Sequence, residues 1–403
     1  DLAYSFGWLN KAAEGFDETR RIFCRDGEIY MPGETFKQPD LAKTLKLIQK
    51  KGNAGFYTGP VAEAMVKSSS KYGGKISSQD LMNYTAKIRK PVIGNYRGLE
   101  VISMPPPSSG GIALISMLNM MEPMVFDSVG WHSAQHIQMI AEVEKRAYAD
   151  RSVWLGDSDY FDVPQDKLLS KEYATLRMAD YDSLTITPSD SIYPLNDKDL
   201  AGIELIGQES EETTHFSVVD KWGNAVSVTT TLNWSFGSYV TVDGFGFLLN
   251  NEMDDFSSKP GEPNSFGLIG NEANAIEPKK RMLSSMTPTI LAQDGKVVLI
   301  VGAPGGSTII TTVLQVIHNM VDFGMPVHDA VNVPRFHHQW RPDVIHYGPG
   351  SISPDTMVLL EAMGYELVPR YGYGEVNAIS RDKIFGGWVG APDLKTASHG
   401  AAY

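Results

Sequence analysis

The hydrophobic period of this chain changes between its two halves, and that change constrains the fold more than any other feature. Up to about residue 180 apolar residues recur at helical spacing. "DLAKTLKLIQKKG" reads as an amphipathic helix closed by a glycine, and "SAQHIQMIAEVEKRAYADR" continues the period. From Thr213 to about Ile300 β-branched alternation and turn residues take over, and "KVVLIVGAPGGSTIITTVLQVIHNM" then reads as strand, glycine turn and helix. An α-rich first half followed by strands predicts a layered α+β protein. Between Ala179 and Glu212 no period survives. That acidic stretch, punctuated by Pro188 and Pro194, reads as a long exposed linker.

Composition narrows the class of partner. With 403 residues, 42% of them hydrophobic, the chain can bury a large core as one big domain or two interlocked layers. Acidic residues outnumber basic ones by 48 to 35, and the net charge of -13 repels phosphate backbones and anionic membrane surfaces, which argues against nucleic acid. The single Cys24 excludes an intramolecular disulfide framework and a thiolate-rich metal site but leaves the compartment open. The richest apolar stretch, "TIITTVLQVIHNMVDFGM", contains His318, Asn319 and Asp322, so it reads as a buried helix rather than a membrane span. The chain opens at Asp1 without methionine or signal peptide, inside an apparent helix, so a processed or truncated front is expected.

The segment "HFSVVDKWGNAVSVTT" predicts a hairpin turning near Trp222 to Asn224. Pairing Phe216 with Val228 and Val218 with Val226 gathers the apolar residues on one face. A slip by one residue would mix apolar with polar and forfeit roughly 1 to 3 kcal/mol per large side chain. The preferred register sets Thr213 opposite Thr231, on the polar face with Ser217, Ser227 and Thr229, cross-strand neighbours being about 5 Å apart. Threonines also pair across strands for purely structural reasons. The functional alternative is a chain cut ahead of Thr213. The freed α-amine, with a pKa of about 7.7 to 8.0, would then serve as base to the hydroxyl of the same residue. An intact peptide nitrogen is not basic, so such a site must first cut its own chain at Glu212–Thr213.

The motifs "TTHFSVVDKWGNAV", "LLNNEMDDFSSKPG", "KRMLSSMTPTI", "GAPGGSTIITTVLQV" and "PRFHHQW", in this order, resemble the γ-glutamyltransferases, or γ-glutamyl transpeptidases. "MPPPSSGGIAL" and "EVEKRAYADRS" resemble that family's large subunit, so the likeness covers nearly the whole chain. The resemblance implies an N-terminal nucleophile hydrolase, an αββα sandwich self-cleaved into a large subunit (here 1–212) and a small catalytic subunit (213–403). By the same resemblance Thr213 is the nucleophile and Thr231 the hydroxyl that orients it. Asn233, Glu252 and Asp255 hold the glutamyl α-amino group, Ser284 and Ser285 take its α-carboxylate, and Gly305 and Gly306 supply oxyanion-hole N–H groups. Glu252 and Asp255 can face the same way on a helical turn and suit an ammonium; a solvated acidic turn or a calcium site is the alternative. For Ser284 and Ser285 the alternative is a polar strand end. "GAPGGST" lacks the Gly-Lys-Ser/Thr ending of a phosphate loop.

The implied reaction passes a γ-glutamyl group from glutathione or a related compound through an ester on Thr213 to water or to an amino acid or peptide acceptor. No metal or organic cofactor is implied. A glutaryl-type acylase of the same superfamily and an uncleaved binding homologue are the alternatives. Family membership further implies a periplasmic or secreted location. Two departures stand out. The family's large subunit begins well before the position of Asp1, and that portion holds an arginine that pairs the substrate α-carboxylate; no arginine here takes that role by motif. The lid-like stretch "KPGEPNSFGLIGNEAN" has Phe266 where some members have a tyrosine, which would alter the balance of hydrolysis and transfer. His132 and His136, four apart with Glu142 beyond, echo a metal site faintly and read as helix packing; His337 and His338 read as structural, and "PPPSSGG" at 105 to 111 as a rigid loop without a catalytic role.

Overall fold

The computed structural model describes residues 2–25, 28–195, 213–257, 259, 270–370, 374–382, 384–396 and 398–402. Glu212, the second half of the expected linker and Phe266 lie outside these residues. The chain forms two compact bodies: residues up to Arg89 together with Leu232–Asn251, and Lys90–Thr231 together with Glu252 onward. This spatial division is distinct from any division at residue 212.

The first body is helical. Helix Pro39–Lys51 starts on its own proline and ends at Gly52, whose φ of 59° is the left-handed stop anticipated from sequence. Its apolar residues fall into two clusters. One joins Phe6, Leu9, Phe23 and Cys24 to Phe236, the other Val61, Met65 and Leu81 to Val242. The inserted segment Leu232–Asn251 thus supplies part of the core.

The second body is built on a sheet. Among the described residues, six strands run in the order β1 (Val92–Tyr96), β2 (Leu99–Ser103), β5 (Thr289–Gln293), β6 (Lys296–Gly302), β10 (Asn377–Arg381) and β11 (Trp388–Pro392). All neighbours in it are antiparallel. A hairpin, β3 (Thr214–Val219) and β4 (Ala225–Thr230), lies on β6 and β10; a separate small sheet holds β7 (Phe336–His337), β8 (Val344–Tyr347) and β9 (Glu366–Pro369). Helices Gly110–Met121 and Thr308–Val321 pack together and against the sheet. Every residue of the first of these is buried. Gly94 on β1 makes room for it, since a Cβ there would stand 2.5 Å from Ile115 Cγ2.

Two expectations are corrected. The α-rich half contains the β1–β2 hairpin, turned by Arg97 (φ 51°) and Gly98 (φ 81°), the two positive-φ residues that a primed hairpin turn requires. Where it is described the linker keeps most of its residues exposed, but it is not a free tether. Ser189 and Ile192 are buried, the Trp340 indole donates to Ser189 O at 2.9 Å, and Trp154 donates to Leu195 O at 3.0 Å.

The β3–β4 register is the expected one, with Phe216 opposite Val228 and Val218 opposite Val226. The packing behind it is reversed. Phe216 and Val218 are 47% and 50% exposed, and the polar face is the one that docks. Ser227 Oγ donates to Val301 O at 3.1 Å and Ser217 Oγ to Asn377 O at 3.2 Å. His215, neutral because burial lowers its pKa to about 4, meets Thr229 Oγ1 at 2.8 Å and lies where any side chain on Gly302 would clash.

The longest helix, Ala134–Trp154, starts on Ser133, whose Oγ accepts from His136 N at 3.2 Å. At its end Gly156 packs so closely that a Cβ would stand 2.1 Å from the backbone oxygen of Ala273. Backbone cannot rotate away as a side chain can. Gly156→Ala is therefore expected to cost about 1 to 3 kcal/mol, a few degrees of Tm, read by thermal denaturation.

Candidate active site

Thr213 and Thr231 meet at the open end of the β3–β4 hairpin. Thr213 Oγ1 donates to Thr231 Oγ1 at 3.3 Å, one step beyond the paired Thr214 and Thr230. Alternation along β3 puts the Thr213 side chain on the face shared by His215 and Ser217, the face held against the sheet. The hydroxyl is thus fixed by a strand whose own polar groups are spoken for.

Glu252 and Asp255 occupy the 3₁₀ turn Glu252–Asp255, where residues three apart eclipse one another. Their side chains keep some solvent contact, yet enough protein surrounds them to disfavour charge. Burial raises Glu252 to about 7, and burial together with the like charges of Glu252 and Asp254 raises Asp255 to about 8. Two carboxylates on one turn can make charge-assisted hydrogen bonds to an ammonium. Buried Asn274 fastens the turn: its amide donates to Asp255 O at 2.7 Å and its carbonyl accepts from Leu283 N at 2.8 Å, which ties the turn to the segment leading into Ser284.

Ser284 and Ser285 face a proline-rich loop. Ser109 N donates to Ser284 O at 2.8 Å and Ser109 Oγ to the same oxygen at 2.7 Å, while Ser108 Oγ donates to Met286 O at 2.7 Å. Buried Arg151, in the last turn of helix Ala134–Trp154, donates from Nε to Ser109 Oγ at 2.9 Å and from Nη2 to Ser285 Oγ at 3.1 Å. Ser284 Oγ accepts from Met286 N at 3.1 Å. Each of the two hydroxyls therefore spends a lone pair on an N–H donor and keeps its proton to give, the polarity a carboxylate needs.

Gly305 (φ 130°) and Gly306 (φ 56°) form the turn between β6 and helix Thr308–Val321. A Cβ on Gly305 would stand 2.6 Å from Thr308 Oγ1. A glycine turn ahead of a helix N-terminus presents N–H groups to an anion. Tyr148 donates from its hydroxyl to Ser307 O, so the long helix steadies this turn as well.

The structure thus joins Thr213 to Thr231, sets Glu252 and Asp255 on one turn, and ties that turn through Asn274 to Leu283, the residue before Ser284. Asn233 lies in the first body, buried with φ 74°, its amide donating to Asn251 O at 3.4 Å. Sequence reasoning missed Ser108, Ser109, Arg151 and Asn274. Two consecutive serines in a proline-rich loop and an arginine ending a buried helical period were the available signals. His136 is a core residue bonded to His318 at 2.9 Å between the ring Nε2 atoms, and His337 and His338 are fully buried, as helix packing and a structural role require.

The family model described as Gamma-glutamyltranspeptidase matches residues 5–403. A glutathione hydrolase proenzyme of Escherichia coli (strain K12) is 47% identical over 363 residues, covering 90% of this chain and 61% of that protein. An acylase ACY 1 proenzyme of Pseudomonas sp. (strain SE83) is 34% identical over 356 residues, covering 88% of this chain and 59% of that protein. This chain thus spans less than two thirds of the relatives' length. Its fold is similar to that of a cephalosporin acylase from Bacillus halodurans, with a TM-score of 0.84 at 23% identity, covering 100% of this chain and 70% of that one. That likeness shows a shared mixed helix-and-sheet fold.

The two raised carboxylates set a pH dependence. Between about pH 4 and pH 8 the folded protein holds protons on Glu252 and Asp255 that the unfolded chain has released. Their contribution to stability therefore falls as pH rises through that window. Asp255→Asn removes one of them, so the variant's Tm relative to the parent is expected to rise between pH 5 and pH 9; a difference constant with pH would contradict the assignment.

Proposed function

Given that this chain belongs to the gamma-glutamyltranspeptidase family, we propose that it is the catalytic part of a γ-glutamyltransferase with glutathione hydrolase activity. The observation that carries the reading is the hydroxyl pair Thr213–Thr231, standing in the register predicted for a nucleophile and its orienting partner. Maturation begins when Thr213 Oγ1 attacks the Glu212 carbonyl carbon. The Glu212–Thr213 amide passes to an ester, and water hydrolyses it, leaving a Glu212 carboxylate and a free Thr213 α-amine. Residues 1–212 and 213–403 then belong to separate large and small subunits that stay associated.

In turnover the α-amine takes the proton of Thr213 Oγ1 as that oxygen attacks the γ-amide carbon of glutathione or another γ-glutamyl compound. Gly305 and Gly306 N–H groups hold the oxyanion. Collapse expels the amine, which leaves with the proton, and a γ-glutamyl ester remains on Thr213. Water, or the amine of an amino acid or peptide, then takes the acyl group. Glu252 and Asp255 receive the substrate ammonium, and the protons of Ser284 and Ser285 receive its α-carboxylate. Among the described residues no helix is long and apolar enough to cross a membrane; a periplasmic or secreted location is part of this proposal.

The acylase relative supports a second reading, hydrolysis of glutaryl-type amides. A glutaryl head carries no ammonium, and the paired carboxylates at 252 and 255 favour the γ-glutamyl head. With γ-glutamyl- and glutaryl-p-nitroanilide offered side by side, the former is expected to be preferred; the opposite preference would overturn the substrate. Thr213→Ala is expected to remain one piece on a denaturing gel and to lose about a thousandfold or more in activity. Two pieces at the parent rate would refute the nucleophile.

A further inference from the structure

Arg151 is a cation buried in a helix, 42 residues beyond one of its serine partners and 134 before the other. Two of its bonds reach the two segments that frame the Ser284–Ser285 pair. Nη2 fixes Ser285 directly, while Nε fixes Ser109, which in turn donates to the carbonyl of Ser284. Accepting from a guanidinium also polarises a hydroxyl, so its own proton becomes a better donor.

We propose that Arg151 is the positioning residue of the carboxylate subsite: its planar fork holds Ser284 and Ser285 in register and obliges the Ser285 hydroxyl to donate to the α-carboxylate of an α-amino-acid headgroup. The proposal rests on the functional reading above and deepens it. Arg151 does not pair the carboxylate itself; it acts through Ser285 and, by way of Ser109, through Ser284. The same charge lowers the cost of ionising Asp255, so one cation serves both the anion-receiving and the cation-receiving parts of the headgroup site. A lysine in its place would keep the charge and lose the two-armed geometry.

The test uses the full-length protein with two chromogenic substrates, γ-glutamyl-p-nitroanilide and 4-aminobutyryl-p-nitroanilide, which lacks only the α-carboxylate. The parent is expected to prefer the first. Arg151→Lys should raise KM for γ-glutamyl-p-nitroanilide about tenfold with kcat within about threefold, and leave KM for 4-aminobutyryl-p-nitroanilide unchanged. Arg151→Gln should give a larger rise, so that lysine counts as partial rescue. If the arginine variants do not fold, Ser109→Ala carries the same test, with a smaller rise confined to the carboxylate-bearing substrate. An unchanged KM, or an equal rise for both substrates, overturns the assignment of Arg151. A parent that does not discriminate the two substrates overturns the functional reading and this proposal with it.

Discussion

A helix buried along nearly its whole length can carry charge only where each charge finds a partner, and helix Ala134–Trp154 organises the second body on that condition. Lys145 and Arg146 both reach Glu142, at 2.7 and 2.6 Å, and Tyr365 donates to the same carboxylate at 2.5 Å. Lys145 also donates to Thr187 O at 2.7 Å, and Arg146 reaches Asp180 at 2.7 Å. The stretch read as a free tether is therefore drawn onto the fold by the need to satisfy buried cations. At the far end Arg151 meets the same requirement with Ser109 and Ser285.

The hairpin follows a related rule with a different outcome. Its polar face is turned to the sheet because Ser217, Ser227 and His215 find acceptors and space there, on Val301, Asn377 and Gly302. Buried polar groups with partners cost little, so hydrogen bonding can decide which face docks even when the other face is more apolar. The consequence for chemistry is direct. Thr213, at the end of the docked face, has a fixed strand behind it and a single hydroxyl partner ahead. The carboxylate turn is held by different means, the side chain of Asn274 clamping two chain segments at once, and its raised pKa values come first from burial.

Local pattern made several parts of this legible. The helix stop at Gly52, the strand-turn-helix at 296 to 321 and the pairing of Thr213 with Thr231 all follow from period, caps and register, which are properties of neighbouring residues. The β1–β2 hairpin was missed although Arg97-Gly98 signalled it, because helical periodicity on both sides dominated the reading. Arg151, Ser109 and Asn274 could not be found this way, since their side-chain partners lie 9 to 175 residues distant and no spacing rule reaches so far. The sequence by itself determined most of the elements, the β3–β4 register and the family. Tertiary structure alone decided which face of the hairpin docks, that the segment 179 to 195 is fastened to the fold at points such as Ser189 and Leu195, and which buried cation stands behind the serine pair, because those outcomes depend on where distant polar groups find partners once water is excluded.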